Sequence, residues 1–352
     1  MLLVSLFPCV AAALTWVRHT IPFSGTLVLT DVHAALDGVR IVALATGEQG
    51  VVLKLDAEVA PPAGTWQVLT NQGADIYWYG AYVFNASSLL LSGFVDGGGE
   101  AYGVVSFSDD GGSSWGNDTK IDPCSQSVCA WGGGPIQFAT GSALEGYMPS
   151  TSGESAWRTQ AGGRNASEWR EVIPAKGNWH SGDYVYDGNG FIAIAGSIDC
   201  NSTDFAETWT CAAPVDTSGI DTGIACGGGI CIIGGGEISP EVLGWLHVSK
   251  DGGRTYAPQR ALQAPFPIRT LQVVASGAGV PTLVAAGGNF FSSVGGVFSS
   301  KDGGVSWELD IDLGEEVKAC RSIAIPTLSV TRVFCVSAGA RGGGIISADV
   351  PL

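Results

Sequence analysis

The sequence predicts an all-β protein built from a repeated unit of about 47 residues. Its 352 residues include 52 glycines, and only 14% of the residues are charged. The chain contains many short runs rich in Val, Ile and Thr, and no long run has the apolar spacing of an amphipathic helix. A short turn motif recurs between these runs at nearly regular intervals. The length is ample for a large core, and one closed repeat domain accounts for it better than two separate domains.

The turn motif reads S-x-D-x-G-x-x-W, with Tyr in place of Trp in one copy and Ala in place of Gly in another. Asp and Gly favour turns, because Asp accepts hydrogen bonds from nearby backbone N–H groups and Gly adopts positive φ without a Cβ clash. The aromatic residue is expected to fold back on the hairpin and bury its ring. The motif positions are Ser108, Asp110, Gly112 and Trp115; Ser202, Asp204 and Trp209; Ser249, Asp251, Gly253 and Tyr256; and Ser300, Asp302, Gly304 and Trp307.

The spacing of the motif predicts how the units are arranged. Ser202 and Ser249 are 47 residues apart, Ser249 and Ser300 are 51 apart, and Ser108 and Ser249 are 141 apart, which is three times 47. A period of about 40–50 residues with several strands in each unit is typical of a β-propeller blade. The sequence therefore predicts a seven-bladed β-propeller, with six blades as the alternative because the third unit is weakly marked.

These four segments resemble the Asp boxes, or BNR repeats, of sialidases, sortilin-type receptors, some xyloglucan-degrading glycosidases and photosystem II assembly factors of the Ycf48/HCF136 kind. The resemblance covers scattered eight-residue windows, and it implies a β-propeller without implying one activity. In those proteins the box lies between the third and fourth strands of a blade, away from the axial pocket. The resemblance therefore implies a structural role for the motif residues.

Each blade can be assigned to a stretch of the chain. The first is expected over about residues 26–69, the second up to about 121, and the third up to about 173. We interpret Asp56 with residues 64–66 as a split motif in blade one, and residues 150–157 or 162–169 as a decayed motif in blade three. The seventh blade reaches Leu352 without a fourth strand, so the N-terminal segment is expected to supply that strand and close the ring.

The beginning of the chain has the character of a secretory signal peptide. Residues 2–14 form a short apolar run that includes Ala11, Ala12 and Ala13. We expect a signal peptide over residues 1–14 and a single propeller domain over residues 15–352. The run is too short to span a bilayer, and no later stretch is long and apolar enough to do so.

Glycosylation signals and cysteines also indicate a secreted protein or one in the lumen of the secretory pathway. Four N-x-S/T sequons occur, at Asn85, Asn117, Asn165 and Asn201. Cys9 would leave with the signal peptide, and the eight remaining cysteines lie in close pairs along the chain. Neighbour pairing predicts four disulfides: Cys124 with Cys129, Cys200 with Cys211, Cys226 with Cys231, and Cys320 with Cys335.

Charge and composition limit the classes of partner. The net charge is −16, which argues against a nucleic-acid partner. The four histidines are scattered, so the cysteines do not indicate a zinc site, and we expect no metal and no cofactor. The oligomeric state is left open.

Propellers place ligands at the end of the central channel, on loops that enter the innermost strands. The candidate ligand-binding residues at such places are Arg269, Arg321, Trp78, Tyr79, Trp179 and His180. If Arg269 and Arg321 converge on the axis, they would bind a carboxylate or sulfate. In the alternative interpretation, each forms a salt bridge with a neighbouring acidic residue. The aromatic residues would either stack on a sugar or pack between blades.

The leading expectation is a non-catalytic propeller that binds a glycan or an extracellular protein on its axial face. The alternative is a secreted glycoside hydrolase, either sialidase-like or xyloglucanase-like, with Asp31 and Asp183 as candidate acid/base residues. Glycoside hydrolysis needs two carboxyl groups across a defined gap, which a sequence does not specify. Either residue would instead serve as a capping group at a loop.

Overall fold

The computed structural model describes residues 14–22, 27–59, 65–69, 75–96, 101–116, 119–121, 133–139, 142–150, 156–172, 184–186, 192–194, 199–212, 220–236, 243–257, 260–274, 279–289, 293–339 and 343–352. These residues form seven four-stranded antiparallel sheets, which are the blades of a β-propeller. The predicted fold class and blade count are confirmed. The described residues also include two short 3₁₀ turns, Ala166–Glu168 and Pro326–Leu328.

In each blade the strands are ordered from the channel outwards. The strands of the first four blades are β2 (Leu29–Asp37), β3 (Arg40–Gly47), β4 (Val52–Glu58) and β5 (Gln67–Val68); β6 (Ile76–Val83), β7 (Leu89–Asp96), β8 (Ala101–Ser108) and β9 (Thr119–Lys120); β10 (Gln137–Phe138), β11 (Gly146–Pro149), β12 (Ala156–Thr159) and β13 (Trp169–Val172); and β14 (Tyr184–Tyr186), β15 (Ile192–Ile194), β16 (Asp199–Ser202) and β17 (Thr210–Ala212). Those of the last three are β18 (Ile220–Gly227), β19 (Ile230–Gly236), β20 (Gly244–Ser249) and β21 (Leu262–Ala264); β22 (Ile268–Val274), β23 (Thr282–Asn289), β24 (Val294–Ser300) and β25 (Glu308–Asp312); and β26 (Glu316–Ile325), β27 (Val330–Ala338), β28 (Ile345–Pro351) and β1 (Val17–Arg18).

The second strand of a blade is covered on both faces by neighbouring blades. This explains why β3, β23 and β27 are almost continuously buried, and why the sequence has unbroken apolar runs there instead of alternation. The hydrophobic core therefore lies between blades. One cluster joins Leu29, Ile41 and Trp66 of blade one to Phe334 and Ile345 of blade seven.

The N-terminal segment closes the ring. β1 pairs antiparallel with β28, with Val17 opposite Ser347 and Arg18 opposite Ile346, so it is the outer strand of blade seven. The first strands of blades four, five, six and seven contact one another in turn, β26 meets β2 where the last blade meets the first, and β2 contacts β6 of blade two. The predicted closure by the N-terminal strand is confirmed.

All four motif segments lie at the same place, between the third and fourth strands of blades two, four, five and six. In the last of them Ser300 Oγ donates to Asp302 Oδ1 at 2.7 Å and accepts from Gly304 N at 2.8 Å. Gly304 has a φ of 89°, and a Cβ there would lie 2.7 Å from Val248 Cγ2 of blade five. Glycine therefore serves both the turn and the contact with the preceding blade.

The structure shows that the motif has one more position, immediately before the aromatic residue, than the pattern S-x-D-x-G-x-x-W includes. The hydroxyl of the residue before the aromatic donates to the motif Asp in every copy, and its backbone N–H donates to the same carboxylate. These residues are Ser114, Thr208, Thr255 and Ser306. All four are Ser or Thr, so the sequence alone is sufficient to identify this additional motif position.

Hydrogen bonds onto the motif carboxylates lower their pKa values. The side chain and backbone of Ser114 lower the pKa of Asp110 to about 2, and Thr208 does the same for Asp204. Thr255 and Ser249 hold the pKa of Asp251 well below its usual range. Partial burial opposes the effect at Asp302, but the bonds from Ser306 still bring its pKa to about 2.

These lowered pKa values predict that the fold is sensitive to acid. A carboxylate with a lower pKa in the folded state stabilises the fold above its ordinary pKa of 3.8, and this stabilisation is lost as the pH falls through the folded value. We expect the melting temperature, followed by circular dichroism, to drop between about pH 4 and pH 2. The Asp110→Asn variant should melt lower at pH 7 and show a shallower drop. Asp109→Asn, at the exposed position beside it, is the control, and identical pH profiles for the two variants would contradict the prediction.

Three blades lack a regular motif, namely blades one, three and seven. In blade three the hairpin between β12 and β13 contains residues 162–169, where Trp169 Nε1 donates to the Gly163 carbonyl at 2.8 Å. The alternative interpretation, which placed the motif at residues 150–157, was wrong. β11 ends at Pro149 and β12 begins at Ala156, so this stretch falls between the second and third strands of the blade. In blade one Asp56 belongs to β4 and pairs with Arg40 at 2.6 Å, so it is not part of a split motif. Trp66 follows that hairpin and is fully buried.

Disulfides join neighbouring strands within blades. Cys200 bonds Cys211, Cys226 bonds Cys231, and Cys320 bonds Cys335, each pair with a Cα–Cα distance of 4.1 Å. The first of these clamps the hairpin of the imperfect motif, in which Phe205 and Ala206 have positive φ values of 55° and 63°. Cys124 and Cys129 lie outside the described residues.

Candidate ligand-binding site at the channel entrance

The inner strands share an irregularity near their first residues. Five of the seven show a shift of pairing register that leaves one extra residue, as in a β-bulge. We call these extra residues the bulge arc. In order around the ring they are Thr222, Arg269, Lys318, Thr30 and Tyr79, from blades five, six, seven, one and two.

Side-chain hydrogen bonds hold the inner strands level with one another. The hydroxyls of Thr30 and Thr222 donate to the carbonyls of Trp78 and Ile268, which immediately precede the bulge of the next blade. The side chains of residues that directly follow the bulges also bond to the next blade, by accepting a hydrogen bond from its backbone. Asp31 Oδ2 accepts from Ala81 N at 3.1 Å, and Thr270 Oγ1 accepts from Cys320 N at 3.0 Å. The members of the bulge arc therefore stand at one height around the axis.

Arg269 and Lys318 share one buried carboxylate. Arg269 Nε lies 3.0 Å from Glu316 Oε1, and Lys318 Nζ lies 2.7 Å from Glu316 Oε2. The Glu316 side chain is 2% exposed, whereas those of Arg269 and Lys318 are 41% and 32% exposed. Among the described residues, Glu316 is the hydrogen-bond partner of Arg269. Since the contact uses Nε, the two terminal guanidinium nitrogens remain available to another acceptor.

Aromatic rings continue the arc in blade two. Tyr77 and Tyr79 both stack on Phe94, with ring centroids 4.7 Å and 5.7 Å away. Burial, followed by the charge of Glu48 and the proximity of Tyr77, raises the pKa of Tyr79 to about 12. Its hydroxyl is therefore neutral at physiological pH and can donate or accept a hydrogen bond.

A buried polar layer lies deeper, three residues along the strands from the arc. Arg321 Nη1 donates to the Cys320 carbonyl at 2.9 Å, and Nη2 lies 3.7 Å from Asp31 Oδ1. His33 Nδ1 accepts from Val83 N at 3.1 Å. Burial and then the charge of Arg321 lower the pKa of His33 to about 3, so the imidazole is neutral. This layer joins blade seven to blade one and blade one to blade two.

Arg269 and Arg321, which the sequence predicted to be equivalent, occupy different positions in their strands. Arg269 is a bulge residue, whereas Arg321 lies three residues beyond the bulge of its own strand. The residue equivalent to Arg269 in blade seven is Lys318, which sequence reasoning missed. Aligning residues 268–271 with 317–320, instead of 320–323, would have found it.

The other sequence candidates have different outcomes. Trp78 is completely buried among core residues of blades one and two, so it has no face for a ligand, and Tyr77 is the aromatic residue that accompanies Tyr79. Asp31 is 1% exposed. Trp179, His180 and Asp183 lie outside the described residues.

A separate cavity of about 230 Å³ lies beneath β1, between blades seven and one. Val17, Phe334 and Leu55 give it apolar walls, and His19 and Arg332 lie at its polar side. His19 Nε2 is 2.8 Å from Ser347 Oγ, and Arg332 pairs with Asp349 through two contacts of 2.6 and 2.8 Å. His19 and Arg332 therefore already have polar partners within the wall of this cavity.

Within the described ranges, no three His, Cys, Asp or Glu side chains are grouped as metal ligands would be. No helix in this part of the chain is long and apolar enough to cross a membrane.

Comparison with solved structures identifies the fold. No protein-family model and no curated protein sequence matches the chain. The structure of Ycf48 bound to D1 peptide aligns with a TM-score of 0.63 and 13% sequence identity, over 96% of this chain and 99% of the other. The chain has the Ycf48-type β-propeller fold.

A second neighbour shares that fold over a smaller part of its length. The GH74 xyloglucanase from Xanthomonas campestris aligns with a TM-score of 0.51 and 20% identity, over 92% of this chain and 43% of the enzyme chain. The chain thus spans less than half of that enzyme. The Ycf48-type fold is therefore common to a peptide-bound protein and to a glycoside hydrolase.

Proposed function

We propose that this protein binds an anionic group of a glycan or protein partner at the channel entrance, and that it is a secreted or luminal glycoprotein. The observation that carries the proposal is Arg269. Glu316 contacts its Nε and so orients the guanidinium, while the side chain is 41% exposed and its terminal nitrogens remain available to a ligand. That fork suits a carboxylate, sulfate or phosphate, which accepts two parallel hydrogen bonds.

The neighbours of Arg269 complete a binding surface. Lys318 stands at the same height in the next blade and adds a second positive charge. Tyr79 and Tyr77 add flat, partly exposed rings suited to a sugar face or an apolar side chain. The Ycf48 structure contains a bound peptide, which supports a protein segment as one class of ligand.

The secretory assignment is supported by the disulfides and by one exposed sequon. The three bonded cysteine pairs fit an oxidising compartment. Asn165 is exposed in the hairpin between β12 and β13, where a glycan has room. We interpret the four turn segments as Asp boxes, because each has the same Ser–Asp hydrogen-bond pattern.

The alternative function, glycoside hydrolysis, is less well supported. Asp31 is buried, receives the Ala81 N–H and lies beside Arg321, so its carboxylate is not available to a substrate. Asp183 remains its other candidate residue. The likeness to the xyloglucanase supports the shared fold and does not identify the chemistry.

The binding proposal is tested by replacing Arg269 with alanine. Binding would first be measured on an array of sialylated, sulfated and neutral glycans and of acidic peptides, with a parallel assay for released sugar. Loss of a charged, two-bond contact should weaken binding of the anionic ligand by about 10-fold or more. Arg269→Lys should recover only part of the affinity, because it keeps the charge but not the fork.

Arg170→Ala is the matched control, since this arginine lies in the outer strand of blade three with a side chain 69% exposed. Equal binding by the Arg269→Ala and Arg170→Ala proteins would overturn the proposed site. Release of sugar by the unmodified protein would favour the hydrolase instead.

A further inference from the structure

Leu14 begins the described part of the N-terminal segment and is anchored in the propeller. Its side chain is 7% exposed and packs with Val284, Val297 and Val333 in a core cluster of blades six and seven. Its backbone nitrogen donates to Asp310 Oδ1 at 3.0 Å. Leu14 is therefore an integral part of the fold.

Asp310, in β25, is surrounded by donors. Ser299 Oγ donates to Oδ1 at 2.9 Å, and Trp16 Nε1 donates to Oδ2 at 3.3 Å. Burial raises the pKa of Asp310, while the bonds from Leu14, Ser299 and Trp16 and the charge of Lys301 oppose that rise. In the described part of the chain, no Lys, Arg or His nitrogen lies within ion-pair distance of this carboxylate. A half-buried carboxylate with several N–H and O–H donors and no cation within ion-pair distance is best completed by a positive charge.

The sequence before Leu14 suggests where that charge comes from. Residues 2–14 are largely apolar, and Ala11 and Ala13 occupy the positions three and one residues before Leu14. Small residues at these two positions are what signal-peptide-cleaving proteases require. A cut at this point would make the nitrogen that already contacts Asp310 the first nitrogen of the mature chain.

We propose that the chain is cleaved between Ala13 and Leu14, and that the freed α-amino group of Leu14 forms an ion pair with Asp310. Water adds across the peptide bond: Ala13 leaves with a carboxylate, and the Leu14 nitrogen, once protonated, becomes an ammonium group. The inference rests on the secretory route put forward under the proposed function, but not on the ligand. It places the domain boundary one residue before the expected 14/15, because a cut at 14/15 would discard the nitrogen that contacts Asp310.

The pairing has a defined pH dependence. An α-amino group ordinarily has a pKa of about 8, and a carboxylate partner in the folded state raises it. A group whose pKa is raised on folding stabilises the fold below its ordinary value, and the stabilisation is lost as the pH rises through the raised value. The ion pair should therefore contribute at pH 7 and disappear in alkaline solution.

The site of the cut is tested on protein secreted from eukaryotic cells after enzymatic removal of N-glycans. Intact mass and N-terminal sequencing should show a chain that begins at Leu14. A chain that begins at any other residue would overturn the proposal. Because this readout does not involve ligand binding, it can fail while the proposed function stands, and the reverse also holds.

The ion pair is tested by comparing chains that begin at Leu14 and at Ala13, each released from a removable fusion. We expect the Leu14 chain to melt higher by about 2 °C or more at pH 7, and the gap to close by about pH 10. Asp310→Asn should abolish the gap, whereas Glu308→Gln, on the same strand, should retain it. The first comparison stands alone if Asp310→Asn does not fold. Equal melting temperatures at pH 7, or a gap that persists in Asp310→Asn, would overturn the ion pair.

Discussion

Replacement of Trp66 by alanine is expected to lower the free energy of unfolding by about 4 kcal/mol. Trp66 is 0% exposed and lies where blade seven meets blade one. Its ring makes edge contacts with Phe334 and with His19 of the N-terminal segment, at centroid distances of 6.4 and 6.3 Å. The cavity left by the missing indole would loosen the contact that closes the ring.

Urea unfolding followed by tryptophan fluorescence and circular dichroism would measure the effect. Trp307→Ala is the matched control, because Trp307 is only half-buried at the edge of its hairpin, and it should cost clearly less. Trp66→Phe should also be mild. The indole Nε1 of Trp66 is buried without a hydrogen-bond partner in the described structure, so its removal loses no bond. An equal loss in the two alanine variants would show that ring closure does not depend on Trp66.

Replacement of Asp31 by asparagine is expected to cost about 3 kcal/mol of stability, because it removes the buried negative charge that lies 3.7 Å from Arg321 Nη2. The two side chains are 1% and 9% exposed, so water does not compensate. The expected result is a large drop in the urea midpoint with ligand affinity unchanged at temperatures where the variant is folded. That combination would identify Asp31 as part of the inter-blade layer and not as a catalytic acid.

The control for Asp31 lies in the same blade. Asp56 pairs with Arg40 on the surface, with side chains 35% and 47% exposed. Surface pairs of this kind contribute about 0–1 kcal/mol, so Asp56→Asn should be nearly neutral. A stable Asp31→Asn protein that had lost sugar release or ligand binding would contradict our assignment and restore Asp31 as a functional residue.

Much of the architecture was predictable because it depends on local chemistry. The Asp-Gly turns recur at blade spacing, and each hairpin forms from residues close together in the chain. The three observed disulfides also join sequence neighbours, since each bridges adjacent strands of a single blade. Closure by the N-terminal strand followed from a seventh blade with only three strands of its own.

The binding site was predicted only in part, because it depends on how the inner strands align. A bulge adds one residue to a strand, and one residue reverses the direction in which every later side chain points. The composition of the runs around Arg269, Lys318 and Arg321 does not reveal where the bulges fall. The bulges put Arg269 and Lys318 at the entrance and Arg321 beside Asp31.

The chain thus specifies by local sequence alone that it forms repeated hairpins, how many blades they make and which cysteines lie close enough to bond. Packing between blades decides which polar side chains face a ligand and which stabilise the ring. The physical reason is that turns are stabilised by contacts within about eight residues, whereas the layers around the channel arise from contacts between residues about 50 positions apart.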